Sequence, residues 1–292
     1  MVVGVNDLDC LDFLIWLRTG GNAAHKLNRT QATVCRTTKR VCEAFNVSLK
    51  KEAGEWVVIG DEYFLNLERK IHQEYRWHKF LPLRIEAQYF SGPLYLQPAP
   101  PGFITGNFDF VEIRFPIAHL KSGVIDVWIG AYPDVPKKDD PDLASFHLTR
   151  LPIRLAVSKF HPLVQMGGGV TLDDVRNYPC LALKDGAFPE VQKQLCALGL
   201  WNTQTLQSRY DYSRWEGMTE DQATVGYAIA LTAEVFEFPA VNLPIDLSLD
   251  TGDTIIVKRA YADHPRFIHL LKHLQSKARE MAAKVKDVSL MF

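Results

Sequence analysis

Three short helical periodicities, each closed by a turn signal, fill residues 8 to 45 and leave room for little except a compact three-helix unit. Leu8, Leu11, Leu14, Ile15 and Arg18 recur every three to four residues, the spacing of a helix with one apolar face. Thr19-Gly20-Gly21-Asn22 supplies a stop, a turn and a capping side chain. Ala23, Ala24 and Leu27 mark a very short second helix, whose small alanines let another helix approach closely. Asn28-Arg29-Thr30 breaks the pattern again, with Thr30 placed to cap a third helix from Gln31 to about Phe45. Val34, Val41 and Phe45 share one side of that helix with Cys35, Thr38 and Cys42, and its polar face stays open. Ser48-Leu49-Lys50-Lys51, a turn at 52–54 and Glu55–Ile59 then read as a two-stranded wing.

Charge singles this segment out. Between Arg18 and Lys51 stand eight basic residues, of which Lys26, Arg29, Arg36, Lys39, Arg40 and Lys50 lie between the two ends, against one acid, Glu43. The 292-residue chain has a formal net charge of −1, so this positive field is local. Such a field attracts phosphates and releases their counterions. Gln31, Thr33, Arg36 and Thr37 stand near the start of the third helix, where side chains reach base edges when a helix N-terminus enters a major groove. The same residues also suit a basic protein-interaction module.

The segment resembles the DNA-reading unit of the LysR-type family of bacterial transcriptional regulators. That unit carries two alanines, a leucine, a Ser-Gln opening and a Ser-Arg pair, matched by Ala23-Ala24, Leu27, Thr30-Gln31 and Cys35-Arg36. Its leucine–glycine–valine segment is matched by Phe45-Asn46-Val47, followed by Leu49. The resemblance implies a winged helix-turn-helix over residues 1–60, with Gln31, Thr33 and Arg36 in or near the groove and Lys39, Lys50 and Lys51 on the DNA backbone. Arg29, Thr30, Thr37 and Arg40 complete the expected DNA-binding set. The sequence departs from the family pattern in a shorter segment between Gly20 and Ala23, in Cys35 for a serine, in Asn46 for a glycine, and in a short wing without a threonine-rich end.

Residues 61–81 follow as a linker, helical from Asp61 to about Phe80 and free of proline and glycine. Phe64, Leu67, Ile71, Tyr75 and His78 recur at helical spacing, while Glu62, Glu68, Arg69, Lys70, Glu74, Arg76 and Lys79 occupy the other faces. Such a helix either packs on its own domain or pairs with a second copy. The resemblance favours pairing through Phe64, Leu67, Ile71 and Tyr75, giving a homo-oligomer, dimer or tetramer, with two reading heads. Pro82 ends the helix.

Residues 82–292 alternate strand and helix patterns, which argues for α/β layers, and their length favours two lobes over one sheet. Expected strands are Leu83–Ala87, Phe108–Phe115, Gly123–Gly130, Ile153–Val157, Cys180–Leu183, Leu206–Tyr210, Ala228–Leu231, Val241–Leu243 and Thr254–Lys258. A capped turn at Thr171–Val175 and helices at Pro189–Leu198 and about Arg266–Lys286 complete the pattern. The order of these landmarks resembles the effector-binding domain of the same family, itself similar to periplasmic solute-binding proteins. The resemblance implies a small-molecule effector in a cleft between lobes, contacted by Ser91, Gly92, Tyr132, Arg154, Arg209 and Tyr212. An anionic effector follows if Arg154 or Arg209 points inward. The aromatics Tyr89, Phe90, Tyr95, Phe103, Tyr132, Tyr210, Tyr212 and Trp215 either bind a planar ligand or fill the space.

Catalytic signatures are missing: there is no His-Glu-x-x-His motif, phosphate-binding lysine loop or dinucleotide glycine fingerprint. His269 and His273 have the i,i+4 spacing of a metal pair but no third ligand nearby in sequence. The five cysteines form no C-x-x-C pair and read as free thiols of a reducing compartment. Neither a signal peptide nor an apolar run long enough for a spanning helix is found. The expectation is therefore a cytoplasmic, non-enzymatic, ligand-controlled regulator that binds double-stranded DNA, with no cofactor, metal or membrane. The alternative is a ligand-binding or protein-interaction module with a vestigial head.

Overall fold

The computed structural model describes residues 2–182, 184–204, 209–211, 223–232 and 240–292. Its contacts divide the chain into two compact units: Met1–Glu86 with Ala99–Asn107 and Phe115–Trp128, and Ala87–Pro98 with Phe108–Arg114 and Ile129–Phe292.

The first unit opens with α1 (Val5–Leu17), α2 (Gly20–Leu27) and α3 (Gln31–Ala44). Sequence-encoded caps set their limits. The Thr19 hydroxyl accepts from the Asn22 N–H, and the Thr30 hydroxyl from the Thr33 N–H. Asn28 ends α2 in the left-handed region, and Asn46 turns the chain after α3 at φ 52°. Asparagine is among the few non-glycine residues that adopt this conformation readily, so Asn46 can stand where a glycine was expected. The wing pairs β1 (Ser48–Glu52) with β2 (Glu55–Ile59), antiparallel, around Ala53-Gly54, both at positive φ. The Trp56 indole N–H donates to the Arg18 carbonyl at 2.9 Å, closing the C-terminal end of α1. Leu8, Leu11, Ile15, Val41, Phe45 and Leu65 form the core of this head.

Two elements depart from their expected faces. α1 is buried nearly all round, Asp12 and Trp16 included, rather than along one stripe. The other is α4 (Tyr63–His78), whose predicted polar faces supply the buried residues Glu68, Arg69, His72, Gln73 and Arg76. An ionic network explains both. Asp12 of α1 accepts from Arg69 Nε at 2.9 Å and from Arg84 Nη1 at 3.0 Å, and Arg84 also pairs with Asp9. Arg84 lies on β3 (Leu83–Ala87), whose residues 83–85 pair in parallel with residues 103–105. Arg76 and Gln73 donate to Asp126, and the Trp16 indole donates to Glu86 at 2.7 Å. Burial alone would raise the Asp12 carboxyl, but Arg69 and Arg84 together hold it below the ordinary range.

The next elements are α5 (Ser91–Leu96), β4 (Phe103–Thr105), α6 (Arg114–Ser122) and β5 (Val127–Tyr132). Residues 108–113, expected as strand, form only two isolated bridges, both at Phe110, to Gln88 and to Arg209, and Arg114 already begins α6. The second unit contains two larger groups of paired strands. In one, β13 (Asp250–Lys258) pairs antiparallel with β6 (Leu143–His147) and β7 (Thr149–Pro152), and β7 pairs with β14 (Ser289–Leu290). In the other, β8 (Arg154–Ser158) lies between β11 (Gly226–Ala228) and β12 (Ala240–Asn242), both antiparallel to it. Strands β9 (Leu181–Ala182) and β10 (Thr203–Gln204) form a short parallel pair. Leu155, Val157, Leu163, Leu195, Val225 and Leu243 make the core around β8. Helices α7 (Pro162–Gln165), α8 (Leu172–Val175) and α9 (Pro189–Ala197) cover this region, and α10 (Pro265–Lys284) is the long last helix. Thr171 and Asp174 form a capping box at α8, where a capped turn was expected. The expected strand from Leu206 lies largely outside the described residues.

Candidate nucleic-acid interface and ligand pocket

The Thr30 cap presents the first turn of α3 to solvent, with Gln31 and Arg36 exposed and Thr33 half-buried. The Thr33 hydroxyl is 2.8 Å from the Thr30 hydroxyl, so this pair is tied to the cap. Gly20 admits Gln31: a Cβ there would meet Gln31 Cγ at 2.9 Å, so a side chain on α2 would push the glutamine aside. Arg36 forms no ion pair among the described residues. Thr37 is the departure. It is buried on the inner side of α3 and does not belong to the open face.

The remaining basic residues divide by neighbour. Arg40 pairs with Asp7 at 2.9 Å, Lys39 with Glu43 at 3.9 Å and Lys50 with Glu52 at 3.2 Å. All three basic side chains are largely exposed, and exposed pairs are worth only about 0–1 kcal/mol, so a phosphate can displace the acid. Lys51 lies over the Trp56 ring, 5.0 Å from its centre. Arg29 is half-buried and donates to Cys10 Sγ at 3.4 Å. Arg18 and Lys26, two of the eight basic residues, turn inward: Arg18 approaches Glu55 at 3.8 Å, and Lys26 donates to Thr105 at 3.4 Å. Burial lowers the Lys26 ammonium pKa. The outward field therefore belongs to α3 and the wing.

Along α4 the expected pairing residues stand in solvent. Phe64 is 67% exposed, Ile71 49%, Leu67 43% and Tyr75 40%. Packing within the protomer takes up the polar faces and leaves this apolar stripe open.

The second unit contains a pocket of about 150 Å³. Its walls come from both groups of strands, with Ile153 and Tyr227 on one side and Tyr132 and Thr251 on the other. Gln88, Tyr89 and Phe90, between β3 and α5, also line it, and Phe188 and Val191, at the start of α9, contribute apolar surface. Tyr89 is stacked on Tyr210, with ring centres 4.2 Å apart. Of the effector residues expected from sequence, Tyr132 lines this space. Ser91 does not: it is fully buried and its hydroxyl donates to Asp253, while Gln88 Nε2 donates to Ser91 at 3.0 Å. Asp253 is buried as well, and burial raises its carboxyl pKa against the opposing hydroxyls of Ser91 and Thr149. It claims the serine, which is why the residue matching the family's contact lies behind the wall. Gly92 is packed so closely on Phe108 that a Cβ would overlap the ring. Arg154 turns to Asp287 at 2.7 Å, and Arg209 pairs with Asp109 and covers the Phe110 ring. Neither arginine lines the pocket. Tyr212 lies outside the described residues, as does Trp215. Tyr95 and Phe103 do not line the space either.

Sequence reading missed Gln88, Phe188, Val191, Thr232 and Thr251 as pocket residues. For Thr251 no local signal exists, because its place depends on the pairing of Asp250 with Pro152, close to a hundred residues away in the chain. Gln88 could have been found as the residue immediately after a strand and before the expected effector loop. Among the described residues no group of His, Cys, Asp and Glu is placed to hold a metal ion, and no helix is long and apolar enough to cross a membrane.

The sequence profile of the LysR substrate binding domain matches residues 111–216. No curated protein matches the chain. Among solved structures, a full-length single-site variant of OxyR from Pseudomonas aeruginosa is similar at 16% identity, with 98% of each chain covered and a TM-score of 0.59. Full-length CbnR complexed with its target DNA is similar at 16% identity, covering 94% of this chain and all of that one, with a TM-score of 0.53. A full-length single-site variant of BenM gives 19% identity, 98% and 99% coverage and a TM-score of 0.51.

Proposed function

We propose that the chain is a LysR-type regulator, a sequence-specific DNA-binding transcriptional regulator controlled by a small molecule in the pocket of its second unit; the match to the LysR substrate binding domain over residues 111–216 and the likeness of fold support this reading. Residues 1–60 serve as the winged helix-turn-helix, 61–81 as the dimerisation helix and 82–292 as the effector-binding region. The observation that carries this reading is the capped, outward-facing start of α3, with Gln31 and Arg36 exposed and Arg36 unpaired among the described residues. A helix N-terminus with an amide and a guanidinium on its open face suits a major groove, where arginine reads guanine and glutamine reads adenine. Lys39, Arg40, Lys50 and Lys51 flank it as exposed phosphate contacts, and Arg29 supports the turn before it. A fold relative solved with its target DNA supports the same use of the architecture. The open stripe of α4 supports a homodimer, and a DNA partner supports a cytoplasmic location.

Fluorescence anisotropy with duplexes from the gene's own upstream region tests the proposal. Binding should weaken steeply with salt, in proportion to the phosphates neutralised. Arg36→Ala should cost about 1–3 kcal/mol and blunt discrimination between related duplexes, whereas Lys50→Ala should weaken all duplexes alike and flatten the salt slope. Salt-independent binding, or equal losses on specific and unrelated DNA for Arg36→Ala, would overturn the assignment of α3 as the reader.

A further inference from the structure

Among the described residues, no carboxylate, ammonium, guanidinium or imidazole lines the pocket of the second unit. We infer that its occupant is a neutral, single-ring aromatic compound bearing one hydroxyl, a phenol, and this rests on the regulator reading only in naming that compound the effector.

Size comes first. A cavity of about 150 Å³ is of the order that holds one benzene ring when its lining is apolar. Tyr89, Phe90, Tyr132, Phe188 and Tyr227 contribute ring surface to this lining, which favours a flat, polarisable guest. Charge comes next. Arg154 and Arg209 are paired with Asp287 and Asp109 away from the walls. A third cation, Arg150, stacks 3.5 Å from the centre of the Tyr132 ring and donates to the Thr149 carbonyl. An anion in the pocket would meet no cationic wall residue among the described residues, and it would face the Asp253 carboxyl two hydrogen bonds behind Gln88. Burying an unpaired carboxylate there is unfavourable.

The polar groups select the hydroxyl. Thr251 donates to the Tyr132 carbonyl at 3.0 Å and Tyr227 to the Leu200 carbonyl at 3.1 Å, whereas Thr232 accepts from the Ile229 N–H at 2.9 Å and keeps its own proton to donate to the oxygen of a guest hydroxyl. Gln88 is oriented by its neighbours. Ser91 gives its proton to Asp253, so the serine oxygen must accept, and it accepts from Gln88 Nε2. The carboxamide oxygen is thereby left as the acceptor, and it takes no hydrogen bond from the described residues. A guest satisfies it by donating one O–H.

Isothermal titration of the full-length chain with phenol, toluene and benzoate tests the assignment. Phenol should bind at least tenfold more tightly than benzoate and more tightly than toluene. Gln88→Leu should abolish the preference of phenol over toluene while toluene still binds. Ile229→Trp, which fills the space, should remove binding of both without lowering the thermal midpoint by more than a few degrees. Benzoate binding equal to or tighter than phenol, or no saturable phenol binding at millimolar concentration, would overturn it. Duplex binding by the same preparations separates the two readings. A chain that binds DNA and prefers benzoate leaves the regulator standing and removes the phenol. One that binds phenol and no DNA does the reverse.

Discussion

Single residues decide where the chain can close on itself. Gly252 lies against the Thr149 backbone, and a Cβ there would overlap the Thr149 carbonyl oxygen. Backbone cannot rotate away as a side chain end does, so Gly252→Ala should cost at least about 2–3 kcal/mol, the upper range for overpacking. Gly168→Ala is the matched control, since no atom beyond its chain neighbours lies within 4 Å of an added Cβ. Urea unfolding should show a lower midpoint with an unchanged slope for the first variant and little change for the second. An unperturbed Gly252→Ala midpoint would mean that β13 and β7 shift to accommodate it. Residue-scale legibility follows sequence distance. The Thr19 and Thr30 caps are readable because their partners lie three residues away. The burial of Ser91 is not legible in the sequence because its partner, Asp253, is 162 positions distant, and no local pattern announces a buried carboxylate in need of donors.

At the scale of elements, the helices and the wing of the head emerge from periodicity and turn chemistry, with limits close to those expected. What periodicity misjudges is which side of a helix faces inward. In α4 the apolar stripe was the visible signal, yet the buried side carries Glu68, Arg69, His72, Gln73 and Arg76. A polar face is buried only when each charge finds a partner, and those partners sit on α1 and around β3, out of reach of any local window. The Asp12–Arg69–Arg84 cluster should therefore govern the acid limb of stability for the first unit. Asp12 has its folded carboxyl held below the ordinary value of about 3.8. Its contribution is present in full above that unfolded value and is lost as pH falls through the lower folded one. Asp12→Asn should destabilise by about 3–5 kcal/mol at neutral pH, because two buried guanidinium groups lose a charged partner. Its acid limb should be flatter than the parent's. Parallel pH profiles for the two proteins would show instead that the cluster contributes packing rather than charge.

For the whole molecule, the same inversion supports the proposed homo-oligomer. Burying the polar side of α4 leaves Phe64, Leu67, Ile71 and Tyr75 in water, spaced three and four residues apart as in a helix-pairing seam. In the proposed dimer a second copy covers that stripe, because packing within the protomer uses the opposite face. Pairing then joins two α3 helices in one particle, so the second half-site binds as an intramolecular event. Such linkage can raise affinity by about 10²–10⁴ without any new contact to DNA. Ile71→Glu separates these contributions. The side chain is 49% exposed in the protomer, so a carboxylate there leaves the head and the ionic cluster intact. Light scattering should find the variant monomeric where the parent is at least dimeric, with an unchanged far-UV spectrum. Its affinity for the full operator should fall by about a hundredfold. Affinity for a single half-site should stay near the parent's, because each α3 still carries its own Gln31 and Arg36. The salt slope on the full operator should drop to roughly half, as one head neutralises half the phosphates. A variant that remains dimeric would place the pairing seam elsewhere, and one that loses half-site binding too would show α4 acting on the head itself.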